Sequence, residues 1–193
     1  MRFTLLTAAL ALFSVSSSAP VPDATLDTRS VQSFYPTLAV NIFTPDKGTV
    51  KGDVYVFRTT QVGIQHETNS LLSIPFPDGH AGKTCSFAFA GGWAPPRTNW
   101  APPGADPNSQ RVQLFTVGGT ISATNTYTSR PYRDVSYGIF KVSNDGATGT
   151  WDGPTPTFPC PAKATVLGFE VAPQGDFDDV SWPLHAGLAV IVK

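Results

Sequence analysis

The feature that most restricts the fold of this chain is a series of short apolar runs, each separated from the next by turn residues. In Phe34–Phe43, the apolar side chains of Leu38, Val40 and Ile42 occupy alternate positions. A period of two places these side chains on one face of a strand, whereas a helix needs a period of 3.6. The run therefore predicts a strand that is buried on one face.

The same pattern recurs along the chain, with β-branched and aromatic residues in most runs. Further strands are predicted at Thr49–Thr59, Leu71–Phe76, Thr84–Ala90, Val112–Val117, Val135–Val142, Ala164–Val171 and Ala186–Val192. Turn signals fall between them at Pro77–Gly79 and Asn144–Gly146. Consecutive apolar residues predict that the last strand lies inside a sheet. About eight to ten strands without a helical pattern predict an all-β antiparallel β-sandwich, with a closed barrel as the alternative.

The N-terminus predicts export. A basic residue precedes the apolar, uncharged stretch Phe3–Val15, and small residues follow it. An apolar run of about 13 residues has the length of a signal-peptide core and is shorter than a membrane span of roughly 20. We expect residues 1–18 to be a signal peptide, residues 19–32 an extended arm or short propeptide, and residues 33–193 the β-sandwich domain. No later stretch predicts a membrane span.

The chain has two cysteines, Cys85 and Cys160. In an exported protein an isolated pair is most simply a disulfide, and two buried free thiols are the alternative. Neither cysteine has C-x-x-C spacing or a histidine beside it, so a zinc site is not expected. We predict one long-range disulfide, and no metal or other cofactor.

Charged residues are few and nearly balanced, with 13 Lys and Arg against 14 Asp and Glu. No basic stripe is present, which argues against nucleic acid as a partner. The chain lacks a G-x-S-x-G motif, and its serines have no helpful neighbours. A glycoside hydrolase needs only two carboxylates across a cleft, and Glu170 with Asp179 is the least unsuitable pair. We expect a protein without catalytic activity and keep a small hydrolase as an alternative.

The segment Gly91–Pro107 contains the tetrapeptide Trp-Ala-Pro-Pro twice, beginning at Trp93 and at Trp100. Proline keeps both copies out of sheet interiors and in extended or turn conformations. Exposed aromatic rings on a stiff loop suit sugar rings or proline-rich peptides. We predict a binding surface formed by the two tryptophans with Arg97 and Asn99. The alternative is that both indoles cover the open end of the sandwich.

Two other groups of polar residues favour structural roles. The acidic stretch Gly175–Asp179 offers oxygens to calcium but lacks the twelve-residue pattern that ends in Glu, so a solvated turn between strands is the preferred interpretation. The histidines His66, His80 and His185 are scattered without a metal-binding spacing, and we interpret them as turn or surface residues.

Several motifs resemble a family of secreted fungal domains named for the C-terminus of But-two, a ubiquitin-pathway binding protein. They are Leu72–Phe76, Gly82–Phe87, Phe158–Pro161, Gly168–Pro173, Gly175-Asp176 and Gly187-Leu188. The resemblance runs from about Tyr35 to the end of the chain. It implies an extracellular or cell-wall protein of a filamentous fungus, in a family whose activity is usually unknown. The predicted export and disulfide argue against a role in the cytosolic ubiquitin-like pathway.

These observations predict a secreted, non-catalytic protein that is extracellular or associated with the fungal cell wall. The aromatic loop makes polysaccharide the first expected partner. A secreted protein-interaction module that meets an extracellular protein, for example at a host surface, is the second hypothesis. The third is the small hydrolase.

Overall fold

All regular secondary structure that the computed structural model describes is β-strand, and the described residues are 31–60, 66–89, 110–142 and 149–193. This part of the chain contains no helix long and apolar enough to cross a membrane. The predicted signal peptide lies outside the described residues, as does the predicted arm up to residue 30. The strands are β1 Ser33–Phe34, β2 Leu38–Phe43, β3 Lys47–Lys51, β4 Asp53–Thr59, β5 His66–Phe76, β6 Thr84–Phe89, β7 Gln110–Gly118, β8 Tyr132–Val142, β9 Gly149–Trp151, β10 Thr157–Pro159, β11 Thr165–Pro173, β12 Phe177–Pro183 and β13 Leu188–Val192.

The strands form two antiparallel sheets. The small sheet has the order β1-β13-β6-β10. The large sheet has the order β12-β4-β5-β11-β7-β8-β9, with β2 paired to β5 and β3 paired to β2. This architecture confirms the predicted all-β antiparallel fold. It also places β13 inside the small sheet, as its consecutive apolar residues predicted.

Both sheets contribute side chains to one apolar core. Within the large sheet, Leu72 of β5 pairs with Ala39 of β2 on one side and with Phe169 of β11 on the other, so these three side chains share a face. The small sheet adds Phe87 of β6 and Val190 of β13. Each of these five side chains is at most 2% exposed. Burial of a large apolar side chain contributes about 1.5–3 kcal/mol, so this inner layer dominates the stability of the fold.

A disulfide between Cys85 and Cys160 confirms the predicted pairing. Strand β10 pairs with β6 so that Phe158 lies opposite Cys85, and this register brings Cys160 to a Cα–Cα distance of 5.0 Å from Cys85. Both sulfurs belong to the apolar core. The bond joins residues 75 apart in sequence. A loop of this length corresponds to about 4 kcal/mol in the chain-entropy model of disulfide stabilisation.

Several strand predictions differ from the structure, and β1, β9, β10 and β12 were not predicted. The predicted strand Thr49–Thr59 is divided into β3 and β4, which are separated at Gly52. The predicted strand Leu71–Phe76 begins five residues earlier, at His66. The added residues are polar, and apolar alternation does not detect a strand whose side chains are buried through hydrogen bonds. The predicted turn at Asn144–Gly146 lies outside the described residues.

The interpretation of Gly175–Asp179 as a solvated turn is wrong for its last residues, since Asp178 and Asp179 lie within β12 and are buried. Asp178 accepts hydrogen bonds from the backbone N–H groups of Arg111, Gln174 and Gly175, at 2.7, 2.9 and 2.6 Å. These three donors satisfy the carboxylate without water. The same donors present positive charge to Asp178, which opposes a cation at this position.

Of the two predicted alternatives for His80, a turn or a surface position, the structure confirms the turn, in which the backbone N–H of Lys83 donates to the His80 carbonyl oxygen at 3.1 Å, and excludes the surface position. This residue is 6% exposed, and its ring lies 5.2 Å from the ring of Phe76 and 5.6 Å from that of Phe34. His80 is buried although it lies in a turn, because the rings of Phe34 and Phe76 cover it. His66 and His185 are exposed, as predicted.

Candidate functional site

The outer face of the large sheet is covered by residues 119–131, which connect β7 to β8 and which we call the strap. Ile121 of the strap is 7% exposed and packs against Val40, Ile42 and Leu71. These three residues point away from the main core, because their neighbours in each strand point toward it. The strap therefore creates a second, smaller apolar cluster on the side of the sheet opposite the main core, and this cluster buries the alternating residues of β2 that the sequence pattern assigned to a buried face.

Hydrogen bonds hold the strap to the β2–β3 hairpin. Asp46 accepts a bond from the backbone N–H of Thr128 at 2.9 Å. Hydrogen bonds from Thr126 and Thr128 lower the pKa of Asp46 below its ordinary value. The strap also approaches the hairpin closely at Gly48, where a Cβ atom would fall on the carbonyl oxygen of Asn125. A residue without a side chain is thus required beneath the strap.

The carboxylate of Glu170 on β11 lies beneath the strap with no exposed surface. Arg133 donates to both of its oxygens at 2.9 Å. Asn69 donates to Oε1 at 2.6 Å, and Arg130 Nε of the strap lies 3.8 Å from the same oxygen. These bonds to Glu170 raise the pKa of Arg133 above its ordinary value. Glu170 therefore joins β5, β8, β11 and the strap through charge-assisted hydrogen bonds.

Glu67 on β5 is the other glutamate of the chain, and it also contacts the strap. Its Oε2 accepts a hydrogen bond from Arg58 at 2.7 Å, and its Oε1 accepts one from the Tyr127 hydroxyl at 3.2 Å. The guanidinium of Arg130 lies 4.3 Å from the centre of the Tyr127 ring. Tyr127 and Arg130 thus connect the two glutamates into one network, and both acidic groups have cationic partners.

A cleft of about 340 Å³ opens beside Glu67, where the end of β2, the middle of β4 and the start of β5 meet. Apolar rings form most of its wall, and hydroxyl, imidazole and carboxylate groups supply the rest. The lining residues are Phe43, Thr44, Tyr55, Phe57, His66, Glu67 and Thr68. Clefts of this size that combine apolar walls with a few polar groups are typical of small-ligand sites.

The aromatic rings give this cleft a defined shape. Tyr55 and Phe57 occupy alternate positions of β4, and their rings are nearly parallel, with centroids 6.0 Å apart and an interplanar angle of 16°. Phe57 is buried and packs edge-on against Phe177 at 6.5 Å. Tyr55 and Phe43 are partly exposed. The cleft therefore presents the partly exposed rings of Tyr55 and Phe43 beside the buried ring of Phe57.

Polar groups are placed around the rings. The hydroxyl oxygen of Thr44 accepts a hydrogen bond from the backbone N–H of Glu67 at 3.2 Å, which connects β2 to β5. His66 is exposed at the rim. Among the described residues that line the cleft, Glu67 is the one carboxylate, and its side chain is 8% exposed. The arrangement offers an apolar surface with hydrogen-bonding groups at its edge.

The carboxylates considered for hydrolysis lie elsewhere. Glu170 is enclosed by its partners beneath the strap, and neither Glu170 nor Asp179 lines the cleft. Asp178, beside Asp179, is fully buried, and loss of hydration raises its pKa from 3.8 to about 6 against the opposing effect of its three backbone donors. Glu170 is therefore satisfied by Arg133 and Asn69, and Asp178 by backbone N–H groups.

The predicted binding residues Trp93, Arg97, Asn99 and Trp100 lie outside the described residues. Sequence reasoning did not identify the cleft. Tyr55 and Phe57 are both aromatic and lie two residues apart in β4, which places them on one face of the strand. The same spacing is expected for any half-buried strand, so it does not indicate a cleft. Only the fold brings Phe43 and Glu67 beside them.

Comparisons with known proteins find no family model that matches this chain and no curated protein that matches it.

Proposed function

We propose that this chain is an extracellular, non-catalytic fungal protein that binds polysaccharide, as a component or ligand of the cell wall. The signal-like N-terminus and the motifs that resemble the But-two family support the compartment and source. The disulfide fits an oxidising environment. The observation that carries the binding function is the cleft formed by Phe43, Tyr55 and Phe57.

The chemistry of the cleft suits a sugar. A sugar ring has an apolar C–H face that packs on an aromatic ring and hydroxyl groups around its edge. Tyr55 and Phe43 offer partly exposed rings, and Thr44 and His66 lie where edge groups need donors and acceptors. Phe57 supports Tyr55 from the neighbouring position, so little ordering is needed when a ligand packs on the platform.

The same geometry argues for binding without catalysis. Glycoside hydrolysis uses two carboxylates on opposite sides of the scissile bond. Of the chain's two glutamates, only Glu67 borders the cleft, and Arg58 and Tyr127 already occupy its oxygens. We therefore propose a role for Glu67 in supporting the cleft wall.

Co-sedimentation of the mature protein with insoluble chitin, β-glucan and cellulose tests this proposal. We expect retention on at least one polymer, and a loss of affinity of at least about tenfold in Tyr55→Leu, which removes the ring but keeps apolar bulk. Tyr132→Leu is the matched control, because Tyr132 is 70% exposed and does not line the cleft. Thermal unfolding of each variant establishes that it is folded.

The double variant Trp93→Ala, Trp100→Ala separates the cleft from the aromatic loop that the sequence predicted. Loss of retention in this variant alone would assign binding to the loop and contradict the proposed role of the cleft. Failure of the wild type to bind any polymer would contradict the polysaccharide function and favour the secreted protein-interaction module.

A further inference from the structure

We infer that the cleft selects a neutral sugar unit, such as a hexose or an N-acetylated amino sugar, and excludes the corresponding cationic amino sugar. This inference rests on the proposed polysaccharide function and specifies its ligand class. It is drawn from the charges around Glu67.

The carboxylate of Glu67 does not offer free negative charge to a ligand. Its Oε2 forms an ion pair with Arg58 at 2.7 Å, and its Oε1 accepts the Tyr127 hydroxyl at 3.2 Å. The side chain is 8% exposed. A ligand ammonium group would have to compete with a guanidinium that is already in place.

The wider network is electrically balanced. It contains three carboxylates, Glu67, Glu170 and Asp178, and three guanidinium groups, Arg58, Arg130 and Arg133, because Arg58 interacts electrostatically with Asp178 as well as with Glu67. Glu67 contributes to the raised pKa of Arg133, so the two halves of the network interact electrostatically. A cationic or anionic sugar in the cleft would lose part of its hydration and find each group of opposite charge already paired.

A neutral sugar meets no such penalty. Its C–H face contacts the apolar rings, and an acetamide or hydroxyl group can form hydrogen bonds at the rim without a change in charge. Because no new ion pair forms, its affinity should depend only weakly on ionic strength.

Isothermal titration with soluble tetrasaccharides of matched length tests this inference. The probes are an N-acetylglucosamine tetramer, a glucosamine tetramer, a β-1,3-linked glucose tetramer and a galacturonic acid tetramer, each at about 20 mM and about 500 mM salt, where screening differs strongly. We expect one of the neutral probes to bind at least about tenfold more tightly than the glucosamine tetramer. We also expect its affinity to change less than about twofold with salt.

The variants connect this selectivity to the cleft. Tyr55→Leu should weaken the neutral probe by about tenfold, whereas Tyr132→Leu should leave its affinity unchanged. Circular dichroism and thermal unfolding check that both variants are folded. A cleft that is responsible for the selectivity will respond only to the first substitution.

The outcomes that overturn the inference differ from those that overturn the proposed function. Equal or tighter binding of the glucosamine or galacturonic acid tetramer, weakened by salt and by Tyr55→Leu, would refute neutral selectivity but keep the cleft as a polysaccharide site. Absence of binding by all four probes would refute both, whereas binding unaffected by Tyr55→Leu would refute the cleft as the site, and with it this inference, but would keep polysaccharide binding.

Discussion

The two faces of the large sheet are both buried, but they are covered in different ways. On the inner face, Leu72 and Phe169 join the core shared with the small sheet. On the outer face, Asn69 and Glu170 of the same two strands lie under the strap among arginine side chains. Inner burial depends on apolar area and tolerates adjustments in packing, whereas the burial of Asn69 and Glu170 on the outer face depends on particular charge partners.

This difference predicts how each face of the sheet responds to a single substitution. Removal of an apolar group from the core leaves a cavity that neighbours can partly fill. Removal of Glu170 from its network leaves two partly buried arginine side chains without their counter-charge. We therefore expect the outer face to respond to single charge changes as strongly as the core responds to truncation.

The largest expected effect is that of Glu170→Gln, which takes the negative charge away from Arg130 and Arg133. We expect a loss of about 3–5 kcal/mol in the free energy of unfolding, because two guanidinium groups remain beneath the strap without a carboxylate. Urea denaturation measures this change. The control is Val166→Gln on the same strand, where the side chain is 63% exposed and the effect should stay within about 0.5 kcal/mol. Equal effects of the two substitutions would remove the distinction between the faces.

The next effect concerns a buried carboxylate that is held by backbone N–H groups. The pKa of Asp178 is raised from 3.8 to about 6, so the folded state binds the proton more tightly than the unfolded state. The contribution of Asp178 to stability is therefore greatest below pH 4, and about 3 kcal/mol of it is lost as the pH rises toward 6. Unfolding free energies measured from pH 3.5 to pH 7 in the wild type and in Asp178→Asn reveal this dependence as a difference between the two curves.

The comparison with Asp178→Asn isolates this effect, because other carboxylates change the free energy of unfolding with pH in the opposite direction. Asp46 has a lowered pKa, and its contribution is lost as the pH falls. Parallel curves for the wild type and Asp178→Asn would contradict the assignment to Asp178.

The smallest expected effect is that of Gly48→Ala, where the added methyl group collides with the Asn125 carbonyl. We expect a loss of about 1–3 kcal/mol from the displaced strap. Hydrogen exchange should become faster in the strap while the β11 amides keep their protection. Gly52→Ala is the control, since nothing lies within 4 Å of its added Cβ. If Gly48→Ala reduced protection from hydrogen exchange equally in the strap and in β11, the strap would open only together with the sheet, which would contradict this prediction.

The sequence was sufficient to predict the inner face. The alternation in β6 and β11 located strands whose apolar residues join the main core, and the isolated cysteine pair identified the disulfide. These signals are local, or they depend on a residue type with one dominant role in exported proteins.

The outer face could not be predicted in the same way. In β5, the residues from His66 to Ser70 are polar, and only the strap and a neighbouring arginine explain why Glu67 and Asn69 are buried. Asp178 and Asp179 were interpreted as solvated for the same reason. Burial of a polar group is decided by partners that are distant in sequence, such as Arg133 for Glu170 or Arg111 for Asp178. The cleft depends on the same long-range contacts.

The position of the disulfide has a consequence for a chain that is cut between its two cysteines. Cys85 and Cys160 are 75 residues apart in sequence. Cleavage of one peptide bond between them leaves the two fragments covalently joined across β6 and β10. The cut molecule keeps its mass apart from one added water, and it separates into two pieces only when the disulfide is reduced. A chain that is cut once in this interval thus remains a single molecule.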